Sequence, residues 1–331
     1  MTIKKRDVFS NSSIKVPFFY PSIDQEDRKV VNQTLKSGLL TDGPKLKKFE
    51  KEFAKYTGAK YAVGVSNATA ALHLSLKALG IGKGDEVIIP DMTFVATANS
   101  VLLSGAIPVL ADVEEDCNIS IKSIEKNISS KTKAILPVHF AGKITKINQI
   151  KRIAYKNNLL IIEDCAHAIG TKLSRKHAGT FGDMGCFSFY PTKNITTIEG
   201  GMVITNSKKN AEKIQMLRNH GISRTLKHRY SHGKPWDYDI IEPGYNYRLD
   251  EIRSALGINQ LKRIQKLNKL RETASKYYNS KLKNINGIQV PIETKESQNS
   301  YHLYIIRINE KFKISRDVLF EKLLKEKIIT S

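Results

Sequence analysis

Between residues 59 and 205, short apolar runs alternate with stretches whose apolar positions recur at helical spacing. The runs are Tyr61-Ala-Val-Gly-Val65, Glu86-Val-Ile-Ile89, Ile107-Pro-Val-Leu110, Ala134-Ile-Leu-Pro-Val138, Leu159-Leu-Ile-Ile-Glu163, Cys186-Phe-Ser-Phe189 and Met202-Val-Ile-Thr205. They are rich in β-branched residues and almost free of polar alternation, the pattern of strands covered on both faces of a parallel sheet. Helical spacing falls at residues 69–79, 96–104, 147–157 and 208–219. Strand and helix in strict alternation predict an α/β layered domain.

Ahead of this core, Ser22-Ile-Asp-Gln25 reads as a capping box opening a helix that stops at Gly38, and a second helix is expected over residues 45–56, ending at Gly58. Behind the core, residues 223–244 are rich in His, Gly, Pro and aromatics and read as a long excursion, a kind of loop that is often functional. A long amphipathic helix is expected from residue 250 to about 282, leading into a small α+β piece. The chain is thus expected to divide into a large α/β domain over residues 1–245 and a small domain over 246–331.

Composition narrows the class. Over 331 residues, 40% hydrophobic and 26% charged is a globular balance with ample core. No stretch approaches the roughly 20 apolar residues of a membrane span. The basic start, Met1-Thr-Ile-Lys-Lys-Arg6, is not followed by the apolar run of a secretory signal. Cys117, Cys165 and Cys186 have no CxxC spacing, so neither a disulfide framework nor a zinc site is indicated, and a reducing cytoplasm is expected. The net charge of +22 invites an anionic partner, but the lysines spread from Lys4 to Lys327 without clustering or alternating with aromatics. Neither a specific nucleic-acid surface nor a membrane surface is expected.

Ligands in open parallel sheets gather at the carboxyl ends of strands, and three such ends carry unusual residues. In Val65-Ser-Asn-Ala-Thr-Ala-Ala-Leu72 a strand runs into a helix whose free N–H groups at Ala68 and Thr69 suit a phosphate, although an ordinary N-cap by Ser66 or Asn67 is the commoner reading of this pattern alone. In Ile161-Ile-Glu-Asp-Cys-Ala-His167, Asp164 leaves a strand where it can pair with a buried cation or cap the next turn. In Phe187-Ser-Phe-Tyr-Pro-Thr-Lys-Asn194, followed by Glu199-Gly-Gly201, Lys193 lies between two strands; a lysine in a partly dry site becomes a Schiff-base nucleophile. Alone, Lys193 is one lysine among many.

Together and in this order the three segments resemble the DegT/DnrJ/EryC1/StrS family of nucleotide-sugar aminotransferases, which depend on pyridoxal 5'-phosphate (PLP). Further matching stretches are Leu39-Leu-Thr-Asp-Gly-Pro44, Gly82-Lys-Gly-Asp-Glu-Val-Ile-Ile-Pro90, Thr93-Phe-Val-Ala-Thr-Ala-Asn99, His220-Gly221 and Gly244-Tyr-Asn-Tyr-Arg-Leu-Asp250. The likeness runs from about Pro21 to the end. It implies the three-layer PLP-dependent transferase fold of type I, like aspartate aminotransferase, with a mostly parallel central sheet and a smaller C-terminal α+β domain. It also implies that Lys193 binds the cofactor covalently and shuttles the proton, that Asp164 holds the pyridine nitrogen with His167 beside the ring, and that Phe94 stacks on it. Ala68, Thr69 and Ser188 would hold the phosphate, with Asn246 reaching it from a partner subunit in a homodimer that shares its active sites. Thr41 and His220 would line the sugar-nucleotide side.

The reaction so implied moves an amino group from an amino acid, L-glutamate, to a nucleotide-linked keto sugar for surface glycan or polysaccharide biosynthesis. Thr196-Thr-Ile-Glu-Gly-Gly201 resembles versions acting at carbon 4 of 4-keto-6-deoxy sugars. Three departures stand out. Ala68 and Ile198 occupy positions where relatives often have Gly, and the chain stops at Ile328-Ile-Thr-Ser331, where relatives continue through a His-Tyr-x-Pro-type segment. The last of these keeps a second reading open, a catalytically silent PLP or nucleotide-sugar binder. Lys193 argues against the dehydratase relatives that carry histidine there.

Overall fold

The computed structural model describes residues 14–223, 236, 238–293 and 296–331. Seven strands form one sheet: β1 (Tyr61–Val65), β2 (Glu86–Pro90), β3 (Ile107–Ala111), β4 (Thr132–Ile135), β5 (Leu160–Asp164), β8 (Met184–Ser188) and β9 (Gly201–Thr205). A two-strand hairpin, β6 (Lys172–Leu173) and β7 (Lys176–His177), lies outside it. The spatial order is β1-β9-β8-β5-β4-β2-β3, with every pair parallel except the two that β9 makes. Parallel neighbours need a crossover of a dozen or more residues, usually helical. The segment from Phe189 to Gly200 contains no helix, so the chain returns antiparallel to β8.

Successive residues of each strand enter opposite cores. Val63, Val87, Ile89, Ile162, Cys186 and Val203 face one cluster, packed beneath α3 (Ala68–Ala78), α4 (Ala96–Ser104) and α7 (Lys208–Leu217). Ala62, Ile88, Ile135, Ile161, Phe187 and Ile204 face the other, beneath α2 (Pro44–Thr57), α5 (Ile121–Lys126), α6 (Ile147–Lys156) and α8 (Glu251–Leu282). This is a three-layer α/β fold, and burial on both faces is why the strands lack polar alternation. The exception is β3, an edge strand whose Ile107 and Leu110 stay half-exposed or more.

Two sequence expectations shift. The capping box of α1 (Gln25–Lys36) is built not on Ser22 but on Asp24, whose carboxylate accepts from the Asp27 N–H at 2.9 Å while Asp27 accepts from the Asp24 N–H at 3.0 Å. The fourth strand begins two residues before its apolar run and ends at Ile135; Pro137, with no N–H, interrupts the ladder before an isolated bridge from Val138 to Asp164. Most of the excursion expected over residues 223–244 lies outside the described residues.

Buried polar groups dock α8 across the molecule. Glu251 accepts from the N–H groups of Lys45 and Leu46, each at 2.8 Å, and so caps α2, whose own N-cap Gly43 has no side chain to do it. Asp27, fully buried, accepts from Asn259, Gln260 and Arg263. Past α8, β10 (Ile288–Gln289) pairs with β12 (Arg307–Ile308), β11 (Ser297–Gln298) pairs with β6, and α9 (Arg316–Lys325) follows.

Candidate active site

The carboxyl ends of β1, β8 and β5 and the amino end of β9 all reach the same edge of the sheet. Val65 pairs with Gly201, Gly201 with Ser188, and Cys186 with Asp164, so the three unusual strand exits become neighbours. Gly201 is required there: a Cβ would collide with the Asn67 carbonyl and close the cradle at the start of α3. Asn67 caps α3 through the Ala70 N–H at 2.8 Å, and among the described hydrogen bonds the N–H groups of Ala68 and Thr69 have no acceptor. Two free N–H groups at the positive end of a helix suit an anion.

Asp164 ends β5, fully enclosed. One oxygen accepts from the Ala166 N–H and the other from the Thr97 hydroxyl, both at 3.0 Å. Thr97 can donate there because it accepts from Thr93 at 2.8 Å. Burial raises the Asp164 carboxyl above its ordinary range, against the pull of those two hydrogen bonds and of Lys193. A buried carboxylate so placed is complementary to a cation.

Lys193 hangs from the loop that returns the chain to β9. The loop is held by Phe189 N–H to Gly200, Thr197 N–H to Phe189, and Lys193 N–H to Tyr190, each at 2.9 Å. Asn194 next door is buried and donates at 2.7 Å to both Asn268 of α8 and the Ser300 carbonyl. Burial pulls Lys193 down from 10.5 to about 8, opposed by attraction to Asp164. His167 stands close enough to feel Lys193, and burial together with that charge takes it down to about 3. Its Nδ1 accepts from the Ala141 N–H at 3.3 Å, which leaves the hydrogen of the neutral ring on Nε2.

The other expected residues fall in two groups. Ser188 closes β8, buried beside Gly201. Phe94 is 73% exposed at the start of α4, so it is no core aromatic and its ring face is free. Asn246 is exposed, on a segment bridged to Asn219. Thr41 and His220 are exposed as well, and no hydrogen bond, ring contact or charge interaction joins either to Lys193 or Asp164 among the described residues. Sequence reasoning missed Thr97, although two hydroxyls four residues apart in a helix-entry segment were a usable signal, and it missed Asn194, Ser300 and His302.

Ile198 adopts φ of +72° in this loop. A β-branched residue is strained there, and at 60% exposure it recovers little by burial. Ile198→Gly is expected to stabilise the protein by about 0.5–1.5 kcal/mol, raising the thermal midpoint by a few degrees. An unchanged or lower midpoint would show that the side chain earns its strained place.

Behind Asp164, Glu163 points to the opposite face. Its carboxylate accepts from the N–H groups of Gly179, Phe181 and Gly182, each at 2.7 Å, and lies 2.8 Å from His139 Nε2. Burial alone would raise Glu163, but the His139 bond and these N–H groups outweigh it and hold it below its ordinary value. His139, Glu163 and Cys165 sit within 4.8 Å of one another, a spacing that could hold a metal. Yet His139 Nδ1 already accepts from Thr145 at 3.2 Å and the carboxylate is saturated with donors, so the cluster reads as a hydrogen-bonded clamp. Glu163→Gln puts an NH₂ group against those donors, with an expected cost of about 2–4 kcal/mol in denaturant unfolding. A loss under about 0.5 kcal/mol, the scale of an ordinary surface change, would contradict the clamp.

Comparison with known proteins decides what this edge is. The model of the DegT/DnrJ/EryC1/StrS aminotransferase family matches residues 21–331. The chain belongs to that family. It is 45% identical to the uncharacterized protein MJ1066 of Methanocaldococcus jannaschii, over 96% of this chain and 82% of that one. It is 41% identical to the spore coat polysaccharide biosynthesis protein SpsC of Bacillus subtilis, over 93% and 78%. Among solved structures, Helicobacter pylori PseC, an aminotransferase of pseudoaminic acid biosynthesis, aligns with a TM-score of 0.87 at 34% identity, over 94% of this chain and 82% of that one. DesV of S. venezuelae, solved with a ketimine intermediate, aligns at 0.84 and 34%, over 92% and 78%. The enzyme is thus a PLP-dependent aminotransferase of fold type I.

The site fits the cofactor on its own terms. A buried carboxylate with no ion-paired cation among the described residues suits a pyridinium nitrogen, the free N–H groups of α3 suit a phosphate, and a lysine near pKa 8 suits an aldehyde.

Proposed function

We propose that this aminotransferase moves an amino group from L-glutamate to a nucleotide-linked 4-keto-6-deoxy sugar destined for a surface glycan, working in the cytoplasm as a homodimer. The observation that carries the reading is Lys193, lowered to about 8, in electrostatic reach of buried Asp164 and His167 at one edge of the sheet. The printed roles of SpsC in spore coat polysaccharide and of PseC in pseudoaminic acid synthesis support a sugar acceptor. Exposed Asn246 and Phe94 and three unpaired cysteines support the dimer and a reducing compartment.

Each residue has a task. Lys193 would hold the cofactor covalently, and as the free amine it would be the group placed to take and return the substrate-carbon proton. Asp164, oriented by Thr97 and the Ala166 N–H, holds the pyridine nitrogen. Ala68, Thr69 and Ser188 hold the phosphate, Asn246 of the partner subunit completing it, and Phe94 covers the ring face. Thr41 and His220 line the sugar-nucleotide side. Bound PLP supplies an electron sink for the charge that develops on the substrate carbon.

The test loads the protein with PLP and L-glutamate and offers UDP-, GDP- and dTDP-linked keto sugars, with mass spectrometry of the products. Amination of a 4-keto-6-deoxy sugar is expected. Bound PLP with no amino transfer to any sugar from any donor would replace this reading with a silent binder.

A further inference from the structure

The segment from Ser300 to Leu303 is sewn into the wall of the site. The Ser300 N–H donates to the Gly142 carbonyl at 3.1 Å, and the Leu303 N–H to the Ala141 carbonyl at 3.3 Å. Ser300 Oγ donates to the His167 carbonyl at 2.7 Å. Arg271 of α8 donates to the carbonyls of Tyr301 and His302 at 3.4 and 3.1 Å. Gly142 permits the closeness: its φ is +88°, and a Cβ there would collide with Ser300 Oγ. What this stitching delivers is one ring. His302 is 7% exposed, and its centroid lies 4.3 Å from that of His167 at an interplanar angle of 38°.

We propose that His302 is a positioning residue of the active site, whose ring face fixes His167 beside Lys193. Among the described residues the His167 ring is otherwise met by the Ala141 N–H on Nδ1 and by Phe140, 5.8 Å away at 54°. The Ala141 bond sets which nitrogen keeps the hydrogen, and His302 stops the ring from turning about that bond. The nitrogens of His302 do not do this. Its Nδ1 is buried with no hydrogen-bond partner among the described residues, so the ring is held by its face and its backbone. The groups facing it are His167, Lys193 and Arg271, and burial, together with the charges of Lys193 and Arg271, keeps His302 neutral. Two neutral imidazoles can lie this close without repulsion.

The functional consequence rests on the PLP reading above, while the geometry does not, and the experiment separates the two. In cofactor-free protein, ¹⁵N NMR of the histidines is expected to show the Nε2–H form of His167 in the wild type. In His302→Ala it is expected to show mixed tautomers and easier protonation. In the loaded enzyme, His302→Ala is expected to weaken PLP affinity about two- to tenfold, the equivalent of losing an aromatic pair, and to move the pH titration of the absorption band. His302→Phe keeps a ring face and drops the unpartnered nitrogen, so it is expected to restore both. Unchanged His167 tautomer and unchanged band titration in His302→Ala, with only a lower melting point, would make His302 a structural filler and overturn the proposal. So would a His302→Phe protein that melts like the wild type yet behaves like His302→Ala. Absence of any PLP band in the wild type would sink the PLP reading instead, with the NMR result still deciding His302.

Discussion

Lys193→Ala is expected to remove the absorption band of lysine-bound PLP and to lower amino transfer by at least about 10²–10⁴-fold, the range for losing one positioned proton carrier. The loss should be larger than for any other single change, because on the proposed reading the same amine would be both attachment point and proton carrier. Burial gives the wild type a pH signature as well. With Lys193 at about 8, the uncharged nucleophile grows in as pH rises through that value, so the rate of PLP attachment should climb and then level above it. Stability runs in a linked direction. Below about 8 the amine is protonated in both folded and unfolded chains, and the folded state carries the full penalty of the buried charge. Between about 8 and the ordinary 10.5 the folded state sheds its proton first, so stability rises with pH. Cofactor-free Lys193→Ala should therefore melt above the wild type at neutral pH, with the gap closing as pH rises through that window. A variant that keeps the band or turns over within tenfold of the wild type would remove Lys193 from the chemistry.

Asp164→Asn is the second large effect. The amide has nearly the same shape, so the fold should persist, but it cannot balance a positive pyridine nitrogen. Leaving a buried charge without its partner costs about 3–5 kcal/mol. In the transition state that converts to a fall of roughly 150- to 5,000-fold in turnover. Lys193 should still bind PLP, which distinguishes this variant from Lys193→Ala. Loss of the Asp164 charge also removes the attraction that holds Lys193 up, so the inflection near 8 should move to lower pH. Near-normal turnover with an unmoved inflection would show that Asp164 serves only to close the end of β5.

Most of the sheet was legible in the chain because strands buried on both faces must be apolar throughout, and Met202-Val-Ile-Thr205 could hardly be anything else. The long helix was legible because Asp250 caps it through the Arg253 N–H. The cap of α1 was not read correctly. Ser22 and Asp24 are both competent caps, and only the backbone conformation at Asp24 chooses between them. The edge position of β3 was hidden for a related reason, since Ile107-Pro-Val-Leu110 reads the same whether one neighbour or two are present.

The sequence by itself singled out the candidate residues: an acid after an apolar strand, small polar residues before a helix, and a lysine flanked by Pro191 and the glycines near β9. Motifs of that kind are local, and their order in the chain was enough to name the family. Tertiary structure alone decided their company. Pairing of β1, β9, β8 and β5 brings Val65, Gly201, Ser188 and Asp164 to one edge from positions scattered between residues 65 and 201. Burial then turns an ordinary lysine into one near 8, a value no local pattern encodes because it depends on the water excluded by distant residues. The same holds for Thr97, Asn194, Ser300 and His302. Their roles come from hydrogen bonds and ring contacts formed with residues as many as 135 positions away, as in the pairing of His167 with His302.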